Sequence, residues 1–211
     1  MAPLTEEIRW YKAPPSLAIT EHWNYTHTSK DFARGYPCMS HGPLPIEWAD
    51  AVTGQRGLWG MELRNEMTKC THQAGLKIVG EVLPQEENRV ELADETDELG
   101  LRIPRVTFSY GEEDRKLYRH AIKFMTTALK AAGGKDIWSA EDTAHLGGTC
   151  RMDTDPETSA TDRRCWDIPN LWICDGSLFP TVAGVNPSLT IQALAWRTGD
   201  RIRELARRGE L

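Results

Sequence analysis

The sequence predicts an α+β fold in which an antiparallel sheet and packed helices are followed by a C-terminal strand and a C-terminal helix. Strand-like segments at 76–83, 89–93 and 105–110 are separated by short turns, and short connections favour antiparallel neighbours. At 113–132, and again from residue 190 onward, apolar residues recur at every third or fourth position, which is typical of amphipathic helices.

Residues 1–57 are rich in proline, glycine and aromatic side chains, and they contain one predicted strand, at 16–22. The prolines of segment 36–48 favour a loop. The tryptophans of this region, together with Trp59 just after it, either belong to the core, as buried aromatic residues usually do, or line a substrate pocket. They are Trp10, Trp23, Trp48 and Trp59.

Two helices are predicted around the strand candidates. The first covers 61–74 and ends at Gly75, and the second covers 113–132 and is ended by a pair of glycines. We expect the second helix to pack across the sheet, with His120 beside its apolar face as a structural residue. The acidic turn between the second and third strands is expected to be a solvated loop.

The composition excludes several classes of protein. With 40% hydrophobic and 27% charged residues the chain is expected to be globular, and its net charge of −6 argues against a nucleic-acid partner. No apolar run approaches the ~20 residues of a membrane span. The number of cysteines is odd and none of them form a CxxC pair, which predicts reduced thiols and no metal site. The first residues lack the pattern of a secretory signal. We therefore expect a cytoplasmic protein.

A short apolar segment, 170–177, predicts a buried strand that ends in a tight Asp175-Gly176 turn. In open α/β sheets ligands lie beyond the carboxyl ends of the strands, so Asp175 is a candidate to accept hydrogen bonds from a ligand. The alternative is that Asp175 only makes the turn, as aspartate before glycine commonly does.

The C-terminal helix is predicted to open with Asn186 as its N-cap and Pro187 at its first position. The free N–H groups of Ser188 and Leu189, together with the helix dipole, would favour negative charge in front of them. The alternative is an ordinary capped surface helix.

His145 precedes a pair of glycines that would let the backbone approach a flat group closely. An imidazole exchanges protons near neutral pH, so His145 is a candidate base. A single histidine is otherwise more often structural.

Three motifs together resemble a known signature. HLGGTCRM at 145–152, NLWICDGSLFPT at 170–181 and GVNPSLTI at 184–191, in this order, are similar to the C-terminal signature of the glucose–methanol–choline (GMC) flavin oxidoreductases. Upstream, the segments EVLP, NRVEL and DELGL between residues 81 and 101 are similar to strands of that family's substrate domain.

The resemblance implies that FAD lies across this region and that an alcohol, such as a polyol or a sugar, is oxidised. It implies that His145 takes the hydroxyl proton while hydride passes to flavin N5, and that Asn186 holds the substrate oxygen. Asp175 and Gly176 would lie at the ribose–pyrophosphate side of FAD, and Val185 and Ser188 near the pyrimidine edge. The implied cofactor contacts are Asp175, Gly176, Val185, Asn186, Pro187 and Ser188.

The strand–GxGxxG–helix unit that begins such enzymes does not occur in this sequence. We therefore expect the C-terminal portion of a longer enzyme, with a substrate-binding region at 1–140, a FAD-contacting and active-site segment at 141–211, and a requirement for an N-terminal FAD-binding half. Asp153, in place of the usual glycine, and a shortened segment at 159–166 depart from the family pattern.

Two alternatives to an alcohol dehydrogenase or oxidase stay open. One is a catalytically silent fragment or subunit that acts as a binding module, and the other is a lyase that keeps its flavin without using it for redox turnover. The sequence does not name the alcohol, and it leaves the electron acceptor open between oxygen, a quinone and a cytochrome.

Overall fold

The structure is a computed structural model that describes residues 2–3, 5–8, 19–20, 31–141, 143–161 and 164–211. The chain forms two compact units. The first comprises Met1–Gly80 and Lys116–Asp142, and the second comprises Glu81–Arg115 and Thr143–Leu211. The functional boundary expected at residue 140 stays a prediction.

A small antiparallel sheet organises the first unit. Its strands are β1 (Ala2–Pro3), β2 (Ile19–Thr20), β3 (Cys38–His41) and β4 (Gln73–Ile78), in the spatial order β1-β4-β3-β2. The strand predicted at 16–22 is described only at β2. The sequence-based pairing of 76–83 with 89–93 is wrong, because β4 is paired with β1 and β3 instead.

Two helices, α1 (Pro45–Arg56) and α2 (Gly60–Met67), lie between β3 and β4. The backbone N–H of Leu44 donates a 2.9 Å hydrogen bond to the Glu47 carboxylate at the start of α1, and Gly57, with φ 65°, ends the helix. The predicted loop over 36–48 is therefore wrong: it holds β3 and the start of α1. The helix predicted over 61–74 stops at Met67, and a 3₁₀ turn then leads into β4.

The long helix α3 (Glu112–Ala131) matches its sequence prediction within one residue at each end. Its residues Leu117 and Ala121 are buried against Phe32, Tyr36 and Cys38 in the core of the first unit. The Tyr36 hydroxyl and His120 Nδ1 share a 2.7 Å hydrogen bond. This contact agrees with the structural role predicted for His120.

In the second unit, β5 (Arg89–Thr96) and β6 (Arg102–Thr107) form a two-stranded antiparallel sheet, as their short connection predicted. Helix α4 (Ser188–Arg208) confirms the predicted C-terminal helix. No helix of the described residues is long and apolar enough to cross a membrane.

The prediction of a strand at 170–177 is wrong. Trp172 forms a single bridge with Arg164, and Gly176–Leu178 form a 3₁₀ turn. Beside this bridge, where the Leu171 carbonyl accepts a 2.9 Å hydrogen bond from the Cys165 N–H, the segment makes turns: the Leu171 N–H donates to the Ile168 carbonyl over 2.9 Å. A short apolar run does not distinguish a strand from a packed loop.

Candidate functional site

The candidate site consists of three segments, all in the second unit. They are the loop at 145–150, which we call the His145 loop, the turn from Asp175 to Leu178, and the first turn of α4. Each contains residues predicted from the sequence.

The His145 loop lies tightly against the chain that follows the Asp175 turn. A β-carbon on Gly147 would come within 2.6 Å of Val182 Cγ2 and 2.7 Å of the Gly176 carbonyl oxygen, so only glycine allows this approach. Gly148 has a φ of +90°, a backbone conformation that residues other than glycine rarely adopt. His145 itself has a φ of 58° and an exposed side chain.

Backbone hydrogen bonds connect this loop to the turn. The N–H of Cys150 donates to the Ser177 carbonyl over 3.1 Å, and the N–H of Met152 donates to the Leu178 carbonyl over 2.8 Å. Leu178 is fully buried, which anchors the turn. The loop that carries His145 is therefore held to the turn that carries Asp175.

Asp175 caps the 3₁₀ turn, because its carboxylate oxygen Oδ1 accepts a 2.8 Å hydrogen bond from the Ser177 N–H. Hydrogen bonds from the Ser177 side chain and backbone lower the pKa of Asp175. The carboxylate remains exposed. The turn-forming role predicted for Asp175 is thus present in the structure, and contact with a ligand stays a prediction.

The turn also touches α4. A β-carbon on Gly176 would come within 3.3 Å of Ile191 Cδ1, which lies one turn into the helix. Gly176 therefore contacts the helix on one side and the His145 loop, through Gly147, on the other. The structure brings the three predicted segments together.

Helix α4 begins one residue later than predicted. Its first residue is Ser188 and its N-cap is Pro187, so Asn186 is not the cap. The N-cap is the residue whose carbonyl accepts the first intrahelical hydrogen bond, and in this helix that residue is Pro187. The Ile191 N–H donates to the Pro187 carbonyl over 3.0 Å. The N–H groups of residues 188–190 come before this bond and have no intrahelical acceptor.

The tryptophans for which a core position or a pocket position was predicted differ in their burial. Trp48 is fully buried and packs against Trp138, with ring centroids 5.7 Å apart, so it is a core residue. Trp59 is 79% exposed. Trp10 and Trp23 lie outside the described residues. Among the described residues, no group of histidine, cysteine and acidic side chains could hold a metal ion.

Sequence reasoning missed Ser177, Val182 and Ile191, which hold the three segments together. Ser177 could have been found, because an aspartate two residues before a serine is typical of a side chain that accepts from the backbone two positions on. Ile191 belongs to the apolar stripe predicted for the C-terminal helix, but its contact with Gly176, like that of Val182 with Gly147, depends on the fold and is not indicated by a local pattern.

A family model described as GMC oxidoreductase matches residues 84–195, which is more than half of the chain and includes all three segments. The chain belongs to the GMC oxidoreductase family. The match is to the C-terminal portion of these enzymes.

Curated relatives agree with this membership. The 2-methyl-1,2-propanediol dehydrogenase of Mycolicibacterium austroafricanum is 32% identical over 94% of this chain and 38% of its own length. The paromamine 6'-oxidase of Streptomyces fradiae is 35% identical over 73% of this chain and 30% of its own length. The gluconate 2-dehydrogenase flavoprotein of Pantoea cypripedii is 24% identical over 86% of this chain and 32% of its own length. The chain thus spans between 30% and 38% of these GMC relatives.

Proposed function

We propose that this chain forms the active-site portion of an FAD-dependent GMC enzyme that oxidises a CH–OH group of an alcohol, a polyol or a sugar. The observation that supports the proposal most is the packing of Gly147 against Gly176, and of Gly176 against Ile191. It holds the His145 loop and the start of α4 to one turn, so a proton acceptor and a set of backbone N–H donors can serve one bound group.

The described residues fit a flavin. The His145 loop presents glycines, which leave room for a flat ring, and the start of α4 presents N–H groups and the positive end of the helix dipole. The proposed contacts are Asp175, Gly176, Val185, Asn186, Pro187 and Ser188. When bound, FAD would supply the acceptor for the hydride.

His145 would hold the alcohol oxygen and take the hydroxyl proton on its imidazole. Its exposed side chain is open to a substrate, and a positioned imidazole suits general-base catalysis. The Asn186 amide would donate a hydrogen bond to the same oxygen and fix the C–H bond in place. The N–H groups at the start of α4 would stabilise negative charge that develops during the reaction.

The names of the relatives support the substrate class. They name a propanediol, paromamine and gluconate, each as the compound that a dehydrogenase or an oxidase acts on. The name of the third contains the word flavoprotein, which supports a flavin as cofactor. We extend these properties to this chain as proposals, including the choice among alcohols.

The test is an alcohol-dependent dye-reduction assay. The chain is produced together with the N-terminal portion of the propanediol dehydrogenase that precedes its aligned region, loaded with FAD, and offered a panel of diols, polyols and sugars. His145→Ala should lower kcat by ~10²–10⁴ with unchanged flavin absorbance, because only the proton acceptor is lost.

His72→Ala is the control, since His72 lies in the other compact unit, outside the proposed site. An unchanged kcat for His145→Ala would remove the assignment of the base. A complex that keeps its flavin but reduces no dye with any alcohol would favour a catalytically silent module or a non-redox flavoenzyme.

A further inference from the structure

His145 has an unusual backbone conformation for a residue other than glycine. Its φ of 58° lies in the left-handed region, which histidine enters more often than most residues but still at an energetic cost. Such conformations persist only where the surrounding structure holds them, and they are concentrated at active sites. His145 therefore needs contacts that hold the chain on both of its sides.

The Asp175 turn holds the C-terminal side of His145. Gly147 lies against the Gly176 carbonyl, and the Cys150 N–H donates to the Ser177 carbonyl over 3.1 Å. These contacts begin two residues after His145. They fix the exit of the His145 loop but not the chain at 143–144, through which the loop is entered.

A tyrosine holds this entry. The Tyr110 hydroxyl and Thr143 Oγ1 share a 2.9 Å hydrogen bond, and Thr143 precedes His145 by two residues. All three residues belong to the second unit. Since two residues span at most about 7 Å, a fixed Thr143 restricts the positions that His145 can take.

The ring of Tyr110 is fixed by packing. It is half-buried and lies edge-on against Phe108, with ring centroids 5.0 Å apart and an angle of 81° between the ring planes. This T-shaped arrangement is a favoured geometry of aromatic pairs. The hydroxyl of Tyr110 is therefore presented to Thr143 from a defined place.

Side-chain hydrogen bonds fix the backbone on both sides of Tyr110. Before it, Asn88 Nδ2 donates to the Ser109 carbonyl over 2.9 Å, and the Ser109 N–H donates to Asn88 Oδ1 over 2.8 Å. After it, the Gly111 N–H donates over 2.8 Å to the carboxylate of Asp114, a buried residue. Tyr110 thus stands on a rigid base.

These bonds also explain why an asparagine begins the segment NRVEL. Asn88 directly precedes β5, and its side-chain amide bonds to Ser109 as the backbone of a neighbouring strand would. It extends the pairing of β5 and β6 past their last backbone pair, Arg89 with Thr107. The extension leads to Tyr110.

We propose that Tyr110 is the positioning residue of His145: through Thr143 it fixes the entry of the His145 loop, and with it the place of the imidazole. The inference rests on the proposed function for the role of that imidazole. A general base must lie within hydrogen-bond reach of the proton that it takes, and a misplacement of about 1 Å can cost about 10²-fold in rate. Tyr110 itself touches neither substrate nor flavin in this proposal.

A bond that served stability alone would behave differently. The bond between Tyr110 and Thr143 is exposed, and water can replace either partner of an exposed hydrogen bond at little cost. Its removal should therefore leave the fold intact and act locally, on the chain between Thr143 and His145.

The first test measures NMR relaxation of the backbone amides in the chain alone. Tyr110→Phe and Thr143→Val each remove one hydroxyl, and the order parameters of residues 144–146 should fall from the rigid range, about 0.85, to below about 0.6. Thr143→Ser keeps a hydroxyl and should keep the rigid values. The matched control is Thr158→Val, which removes another exposed threonine bond, of 3.2 Å to Asp155, and should leave residues 144–146 unchanged.

The second test measures dye reduction in the assembled enzyme. Tyr110→Phe and Thr143→Val should each lower kcat about tenfold with unchanged flavin absorbance, because the base is present but displaced. Thr143→Ser should restore most of the rate, and Thr158→Val should not change it. The double variant of Tyr110→Phe and Thr143→Val should be no slower than the slower single variant, because both substitutions remove the same bond.

Several results would overturn the proposal. They are rigid residues 144–146 in Tyr110→Phe, residues 144–146 that are flexible already in the unsubstituted chain, equal changes in Thr158→Val, and an unchanged kcat in a variant whose loop has loosened. Far-UV circular dichroism checks folding, and if one of the two hydroxyl-deleting variants does not fold, the other gives the result.

The proposed function fails separately. An assembled enzyme that reduces no dye with any alcohol, while Tyr110→Phe loosens residues 144–146, would reject the dehydrogenase and retain Tyr110 as the residue that holds the His145 loop. Dye reduction that depends on His145 but not on Tyr110 would do the reverse.

Discussion

Gly147 lies so close to Gly176 that a β-carbon on Gly147 would come within 2.7 Å of the Gly176 carbonyl oxygen. The atom it would meet is backbone, which cannot turn aside as a side chain can. The contact therefore fixes the distance between the His145 loop and the Asp175 turn. Any enlargement of residue 147 must move one of the two segments.

Gly147→Ala should lower the free energy of unfolding by about 1–3 kcal/mol, the usual cost of forcing an extra methyl group into a packed site. It should also weaken FAD binding in the assembled enzyme, because the loop must move away from the turn. Urea unfolding and a flavin titration measure the two effects. Wild-type values for both would show that the loop relaxes freely.

Gly199→Ala is the matched substitution in open space. Gly199 lies within α4, and a β-carbon there would have no neighbour within 4 Å. Alanine should raise the free energy of unfolding by about 0.5–1 kcal/mol, because glycine is the poorer helix former. A loss of stability at this position would mean that a general sensitivity to alanine, and not the Gly176 carbonyl, explains the effect at Gly147.

Glu66 gives the first unit a pH-dependent contribution to stability. Its side chain is largely buried and accepts hydrogen bonds from Arg56 Nη1 (2.9 Å) and Lys69 Nζ (2.8 Å). Burial alone raises the pKa of Glu66, but the bonds from Lys69 and Arg56 outweigh it and hold the pKa below its ordinary value of 4.5.

Glu66→Gln should therefore lower the free energy of unfolding at neutral pH by about 1–3 kcal/mol. Because the folded pKa is lowered, the contribution is complete above pH 4.5 and is lost as the pH falls from there through the folded pKa. Thermal unfolding between pH 7 and pH 3 should show the two proteins converging at the acidic end. Glu62→Gln, at an exposed position of the same helix, is the control, and a gap that stays constant with pH would contradict the assignment.

The sequence was most informative where one face of an element is buried. The apolar stripe of α3 predicted that helix within one residue at each end, the stripe of α4 predicted a C-terminal helix, and the short connection of β5 and β6 predicted their pairing. Prediction from the sequence failed where tertiary contacts decide the conformation of a segment. Segment 170–177 is as apolar as a strand, but Ser177 bonds to Asp175 and the segment turns.

For the candidate site, too, local patterns indicated individual residues, whereas the contacts between them depend on the fold. Motif order indicated His145, Asp175 and the start of α4 as candidates, because each motif needs particular residue types, and their roles stay predictions. Their proximity was not visible in the sequence, since Gly176 contacts both Ile191 and Gly147 across long stretches of chain. The N-cap of α4 was misplaced by one residue because Asn186 is a favoured cap in isolation, and the proline after it was assigned to the helix.

Tyr36, two residues before β3, is hydrogen-bonded to His120 of α3 within the first unit. Tyr36 is fully buried, and its hydroxyl lies 2.7 Å from His120 Nδ1. Tyr36→Phe keeps the ring but removes the bond, so it should cost about 0.5–1.5 kcal/mol in urea unfolding. Tyr110→Phe, which removes an exposed bond to Thr143, should cost less because water replaces the partner. Equal costs would show that burial of the Tyr36 bond adds nothing.

Asp175 can act as a turn cap, as a flavin contact, or as both, and two substitutions separate these roles. Asp175→Asn keeps an oxygen that accepts from the Ser177 N–H but removes the charge, so unfolding should change by less than about 0.5 kcal/mol. If the carboxylate accepts a hydrogen bond from a ribose hydroxyl, the same variant should weaken FAD binding about tenfold in the assembled enzyme, because a charged acceptor bonds more strongly than a neutral one. Asp175→Ala should lower both stability and flavin affinity. Fluorescence titration with FAD decides, and unchanged affinity in Asp175→Asn would leave the residue with the turn alone.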